Sequence, residues 1–368
     1  MILNKTGYTY NDLTIIPSPL SDVGSRNDVN VYCDDAYLPI FTAPMSAVVD
    51  DRNYECFEEA DIRPVIPTTV PFETRLKLFT LGKWCAFSMT EAMNLMTDKV
   101  LYYIESQNFY PGRYKICIDV ANGHMSKLLD LVKELREAFA SKKMRLTVMT
   151  GNIANPDVLP FYEGVIDLVR VGIGGGSGCI TTTNCGVHYP MASLINECRE
   201  KINTYKLSVK IIADGGIRNY SDVIKALALG ADYVMIGGLF TQSLESASEE
   251  YTGHGSKMDI SHSVDKFDMS SKNEEKKREF IKKYKVFHEI YGMASKRAQQ
   301  ERGLKQLKTS EGTSHKYQVR YTLRNWVGNF KDYLKSAMSY CNKTQLGDFI
   351  GNAELIPNSM ASIHAVNK

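Results

Sequence analysis

Val169-Arg170-Val171-Gly172-Ile173-Gly174-Gly175-Gly176-Ser177-Gly178-Cys179-Ile180-Thr181-Thr182 runs from an apolar, strand-like segment into five glycines over seven positions. A cysteine follows, with a threonine two residues on. Glycines let the backbone take positive φ and approach a ligand closely, and successive peptide N–H groups in such a turn form a nest for anions. The ligand this implies is anionic and phosphate-like. A cysteine at the lip of the same loop sits in an electropositive, partly open place, where its thiolate becomes a usable nucleophile. The competing reading is a glycine loop beside an incidental buried cysteine, since single cysteines are mostly packing residues.

Outward from this loop, short β-rich runs recur at Leu38 to Ala43, Pro64 to Thr69, Trp84 to Met89, Tyr114 to Val120, Leu146 to Thr150, Ile166 to Val171, Val209 to Ala213 and Tyr233 to Ile236. Between them, segments near 51–61, 72–80, 91–108, 124–140, 155–163, 190–203, 220–229 and 240–250 have the length or apolar spacing of helices. The stripe Leu128, Leu129, Leu131, Val132, Leu135 and Phe139 is the clearest. Alternating strand and helix implies a parallel sheet, and eight repeats imply a single-domain α/β (β/α)8 TIM barrel over 1–368. A doubly wound open sheet is the competitor.

In a barrel the site lies beyond the C-terminal ends of the strands. There the sequence places Asp119-Val120-Ala121-Asn122-Gly123, Gly151-Asn152, the glycine-cysteine loop, Asp214-Gly215-Gly216 and Gly237-Gly238. Each alone is a turn signal; five in succession point to one rim. After the eighth unit, residues 251–285 become rich in Ser, Lys, Glu and Asp, which reads as a charged insertion exposed to solvent. Residues 291–312, with a basic segment from Lys296 to Lys308, read as a mobile active-site flap opposite the cysteine. A surface helix ending at Gly303 is the alternative.

The 44 basic and 42 acidic residues nearly cancel, leaving a net charge of +2, so neither nucleic acid nor a membrane surface is expected as partner. No run approaches the length of roughly 18 apolar residues that spans a bilayer, and the start of the chain lacks a secretory pattern. A cytoplasmic location is the expectation. The eight cysteines contain no CxxC pair and the seven histidines do not approach them at ligand spacing, so neither a disulfide framework nor a zinc site is indicated.

Taken together, Ala43-Pro44-Met45, Asp119 to Gly123, Gly151-Asn152, Val171 to Thr181, Gly186-Val187-His188-Tyr189-Pro190, Asp214-Gly215-Gly216, Gly230 to Gly238, Tyr291-Gly292-Met293 and Ser310-Glu311-Gly312 resemble the family of inosine monophosphate dehydrogenase and guanosine monophosphate reductase. The resemblance implies the same barrel, commonly in a homotetramer. The reductase branch fits better. Only a dozen or so residues separate the second and third strand runs, leaving no room for the CBS modules that dehydrogenases usually insert there. The flap also lacks the Arg-Tyr pair whose arginine activates water in the dehydrogenases: Arg297 and Arg302 are not followed by Tyr, and Arg320-Tyr321 comes after Glu311.

What the resemblance then implies is an NADPH-dependent reduction of a purine nucleoside monophosphate. Cys179 is the nucleophile, with Thr181 and Glu311 sharing proton transfer to the leaving amine. Asp214 holds the ribose hydroxyls. The backbone N–H groups of Gly216, Gly237 and Gly238, with the Ser177 hydroxyl, hold the phosphate, and Gly215 belongs to the same substrate-binding set. Gly292, Met293 and Ala294 lie by the base, with Ser310, Glu311 and Gly312 along its edge. Asp119 and Asn152 fall where the family contacts the nicotinamide, and Val120, Ala121, Ile173 and Gly174 belong to the same cofactor-binding set. Ser25, Arg26, Ser336 and Tyr340 fall where the reductase meets the adenosine part of NADPH, from a neighbouring subunit, with Arg26 placed for the 2′-phosphate. A potassium ion held by the carbonyls of Gly174, Gly176 and Cys179 completes the pattern.

Several positions depart from it. Gly175 replaces a proline and Thr182 an arginine that helps fix the potassium loop; Ser46 replaces an aspartate, Thr68 and Thr69 occupy a lysine's region, and Lys308 replaces an arginine. The changes cluster on the cofactor side, which leaves open a diverged substrate or cofactor. Two other functions stay in view: a CBS-less dehydrogenase oxidising inosine monophosphate to xanthosine monophosphate with NAD, and a purine nucleotide-binding protein without turnover.

Overall fold

Strands β1 (Ile40–Thr42), β2 (Val65–Ile66), β3 (Trp84–Phe87), β4 (Arg113–Asp119), β5 (Arg145–Ile153), β6 (Leu168–Val171), β7 (Lys210–Asp214) and β8 (Tyr233–Ile236) form one parallel sheet in the order β1-β8-β7-β6-β5-β4-β3-β2. A parallel bridge between Phe41 and Arg63 joins β1 to the approach to β2 and closes the ring. This is the (β/α)8 barrel, seen in a computed structural model that describes residues 5–107, 113–176, 181–292, 295–301, 309 and 312–359, without the side chains of Arg113, Thr181 and Glu301. All eight strand runs read from the sequence are present.

Strand alternation sorts the side chains into two cores. Phe41, Trp84, Cys117, Met149, Ile212 and Met235 point into the barrel and pack together. Their neighbours in sequence, such as Ile116, Ile118, Val148, Val169 and Ile211, face the helices. Helix Ser126–Ser141 buries Leu128, Leu131, Val132, Leu135 and Phe139 against that outer face, each worth about 1.5–3 kcal/mol on full burial.

Two helical expectations are corrected. The 91–108 segment is two helices, Met89–Leu95 and Asp98–Ser106, because Thr97 between them has extended backbone and starts the second. Within 240–250 the helix Gly238–Thr241 stops after one turn. Beyond it, serine hydroxyls bond to backbone instead: Ser246 Oγ donates to Ala47 O at 2.6 Å and Ser248 Oγ to the same carbonyl at 3.0 Å.

After the barrel, β9 (Glu250–Thr252), β10 (Lys257–Met258), β11 (Val286–Tyr291) and β12 (Ser314–Gln318) form an antiparallel sheet in the order β10-β9-β11-β12. The charged run between β10 and β11 folds as helix Ser271–Lys283. It is not solvated throughout. Glu274 and Lys277 are buried, with Lys277 Nζ 3.0 Å from buried Glu245 and the Thr322 hydroxyl donating to Glu274. Among the described residues no helix is long and apolar enough to cross a membrane.

Candidate active site

The C-terminal ends of β4 to β7 converge on one buried guanidinium. Arg170, 7% exposed, points inward from β6. Its Nη1 lies 2.5 Å from Asp119 Oδ1 at the end of β4, while Nε and Nη2 lie 3.0 and 2.9 Å from Asp214 Oδ2 at the end of β7. Burial works against the guanidinium charge, but Asp214 and Asp119 outweigh it and raise its pKa further. Asn152, at the end of β5, adds its Nδ2 to Asp214 Oδ2 at 2.8 Å and to Gly172 O at 2.8 Å. Both Arg170 and Asn152 thus use one oxygen of Asp214. Among the described residues Oδ1 receives none.

The glycine loop is held by its backbone. Gly174 has φ +78°, and a Cβ there would stand 2.1 Å from Thr182 Oγ1, so only glycine fits. The Thr182 hydroxyl donates to Gly174 O at 3.0 Å, taking up one lone pair of a carbonyl that the resemblance assigns to potassium. Gly215, at φ +121°, lies backbone to backbone with Gly175: a Cβ on Gly215 would come within 3.3 Å of it. Gly216 N–H donates to Gly175 O at 2.8 Å. That donor is therefore engaged within the chain, which removes it from the expected phosphate contacts. Ile173 O meets His188 Nδ1 at 2.9 Å.

The remaining expected positions divide into four groups. Val120 and Ala121 lie in the loop after β4, where Val120 O accepts from Asn152 N at 3.1 Å, and Gly237 and Gly238 open the short turn after β8. Gly292 N donates to Thr313 O at 3.2 Å and Tyr291 pairs with Ser314, so the two ends of the flap segment are neighbours; Gly312 is buried there. Arg26 Nη1 donates to Ser336 Oγ at 3.0 Å on an outer edge, where Ser25 caps a short turn and Tyr340 is 70% exposed. Ser177, Cys179, Met293, Ala294, Ser310 and Glu311 lie outside the described residues, as does the side chain of Thr181, whose backbone opens helix Thr181–Cys185.

Three hydroxyls at this mouth were not singled out as ligand contacts by the sequence reading. Thr68 and Thr69, in the loop after β2, bury hydroxyl oxygens that have no partner among the described residues. Tyr10 does the same; its ring edge stands 3.4 Å from where a Gly216 side chain would begin. Burial and the nearby Asp222 and Asp214 keep this phenol protonated, so it is a donor without an acceptor. Arg170 was also missed, although a lone arginine at an inward position of an apolar strand is the kind of signal that marks one.

A closed parallel barrel with charged groups gathered at its C-terminal mouth defines a TIM-barrel enzyme. Residues 112–367 match the family model for the IMP dehydrogenase / GMP reductase domain, and the chain belongs to that family; it is an oxidoreductase. It is similar to a GMP reductase of Caenorhabditis elegans, 27% identical over 96% of this chain and 93% of the other. A GMP reductase of Salmonella choleraesuis (strain SC-B67) is 28% identical over 92% and 90%. GMP reductase 1 of Homo sapiens is 30% identical over 66% of this chain and 61% of its own length.

Proposed function

We propose that the chain catalyses NADPH-dependent reductive deamination of guanosine monophosphate, or a close purine nucleotide analogue, to inosine monophosphate and ammonia. The observation that carries this reading is Asp214: Arg170 and Asn152 fix one carboxylate oxygen and leave the other as an acceptor at the mouth of the barrel, where a ribose diol donates. Tyr10 supplies a buried donor on the same side.

In this reading the Cys179 thiolate adds to C2 of the purine. The 2-amino group leaves as ammonia with a proton delivered by Glu311 through the Thr181 hydroxyl, giving a thioimidate. NADPH supplies the hydride that C2 then accepts. The carbon–sulfur bond breaks, the electron pair returns to sulfur, and inosine monophosphate is released. Asp119, Val120, Ala121, Asn152, Ile173 and Gly174 orient the nicotinamide, and the orphan hydroxyls of Thr68 and Thr69 provide polar contacts where a lysine is missing. Ser25, Arg26, Ser336 and Tyr340 take the adenosine end, in a cytoplasmic homotetramer whose flap is 291–312.

The dehydrogenase alternative needs a water-activating arginine in the flap. Arg297 is instead held by Glu289 at 2.5 Å and Glu249 at 3.4 Å, over the ring of Tyr291, which favours a structural role. The test is NADPH absorbance on mixing the protein with guanosine monophosphate, with ammonia assayed alongside and Cys179→Ala as control. Oxidation with equal ammonia release, absent in the variant, is expected. Reduction of NAD with inosine monophosphate in its place would move the chain to the dehydrogenase branch. Silence in both, with ligand still bound, would support the binding protein.

A further inference from the structure

The barrel has a second charged end. On β4 the inward positions are Lys115, Cys117 and Asp119, and on β7 they are Lys210, Ile212 and Asp214. Each strand therefore offers an aspartate to the C-terminal mouth and a lysine to the N-terminal one, with an apolar layer between. What lies at the lysine end does not depend on the reaction proposed for the other.

A cavity of about 450 Å³ opens at the N-terminal mouth, within the size of small-molecule sites. Three carboxylates line it, and each is answered by a base of this chain. Asp35 pairs with Arg63, Glu58 with Lys83 at 2.7 Å, and Asp167 with Arg136 at 2.5 Å. Lys115 and Lys210 line the same cavity, and among the described residues neither forms an ion pair. Lys210 stands over the ring of Tyr233 at 5.7 Å. Lys115 is half-buried, and that burial holds its ammonium below the usual lysine range. A half-buried cation without a counter-ion is costly. Lys210, exposed at the same mouth, adds a second ammonium, so the cavity carries positive charge that its three carboxylates, each already paired, do not answer.

We propose that the N-terminal mouth of the barrel is a second ligand site, taking a small dianion of the phosphate or phosphate monoester class between Lys115 and Lys210. Trp84 lines the cavity beside them, its register partner across the strands being Lys115. A monoester carrying a ring therefore has an aromatic wall to meet.

Trp84 is one of two tryptophans and reports the test. Inorganic phosphate and phenyl phosphate are titrated separately into the full chain while tryptophan emission is followed, in the native protein and in Lys115→Met, Lys210→Met and Lys210→Glu. A saturable change is expected, with affinity at least about tenfold weaker in each lysine variant, the equivalent of one lost charge contact. Tighter phenyl phosphate assigns the site to monoesters, and equal affinity to the phosphate group alone. Lys210 is exposed, so its variants keep the test alive if Lys115→Met does not fold. Anion binding at the opposite mouth would not respond to Lys210. No saturable change at millimolar anion, or unchanged affinity in both Lys210 variants, overturns the proposal.

Discussion

Arg170 meets Asp214 through two nitrogens that converge on one oxygen, Nε at 3.0 Å and Nη2 at 2.9 Å from Oδ2. With Nη1 on Asp119, one guanidinium ties together the ends of three strands. Removing it leaves two largely buried carboxylates facing each other without a counter-charge. Arg170→Met is expected to lower unfolding stability by about 3 kcal/mol, the low end for a broken buried pair because both carboxylates keep some solvent, measured by urea denaturation. Arg170→Lys should recover only part, since a point charge cannot span both acids. A loss under about 0.5 kcal/mol would show that the network does not hold the rim.

Gly174 is constrained on two counts, its φ of +78° and the 2.1 Å approach of Thr182 Oγ1 to its missing side chain. Gly174→Ala must therefore move the loop or displace Thr182. The loop carries few core contacts, so the melting temperature should fall by only a few degrees. Turnover of guanosine monophosphate should fall at least about a hundredfold if reacting groups shift by an ångström. Steady-state kinetics beside a thermal melt separates the two effects. Equal activity would mean that the loop has no part in the reaction.

His288 gives a pH dependence with a definite sign. Its Nδ1 meets Thr241 O at 2.8 Å, its Nε2 is buried without a partner among the described residues, and burial, helped by Lys266, lowers its pKa from 6.5 to about 3. The folded ring stays neutral while the unfolded chain takes up a proton near 6.5. Unfolding is therefore favoured as pH falls from 6.5 towards 3, and the contribution is complete above 6.5. In urea titrations across pH 4–7 the native chain should lose up to about 1.4 kcal/mol more per pH unit than His288→Phe. Parallel pH profiles would overturn the assignment.

The cysteines divide by environment. Burial pushes the Cys117 thiol up to about 12, and Cys85 and Cys198 higher still, so none forms thiolate near neutral pH. Cys185 is exposed. Iodoacetamide at pH 7.5 followed by peptide mass spectrometry should label Cys185 and spare Cys85, Cys117 and Cys198 until the chain is unfolded. Cys179, as the proposed nucleophile, should react fastest and be protected by guanosine monophosphate. Labelling of Cys179 no faster than Cys185 would count against that role.

The eight strands were legible because each is a short apolar run bounded by turn residues, and the rim because the C-terminal ends of β4 to β8 carry Gly, Asn or Asp. Arg170 was legible as a letter but not as a role. Inside a continuous strand its meaning depends on which residues the barrel closure places opposite, and Asp119 and Asp214 are 51 and 44 positions away. The lysine end escaped for the same reason, since Lys115 and Lys210 become neighbours only through the ring. The charged insertion misled because composition averages over a helix, whereas one face of Ser271–Lys283 supplies Asn273, Glu274, Lys277 and Phe280 to the interior.

That buried face makes its own prediction. Lys277 and Glu245 are both fully buried, 3.0 Å apart, and Glu245 Oε2 also accepts from Leu323 N at 2.7 Å. The pair joins the insertion helix to the segment after β8 and to the start of helix Leu323–Tyr340. Lys277→Met strands a carboxylate in the interior and should cost about 3–5 kcal/mol, most of it the penalty of the unpaired charge rather than the worth of the bond. Adding Glu245→Gln removes that charge while keeping an acceptor for Leu323 N, so the double variant should regain most of the loss. A double-mutant cycle in urea reads the coupling directly. If Lys277→Met and the double variant are equally unstable, the packing of the lysine chain, and not its charge, ties the insertion to the barrel.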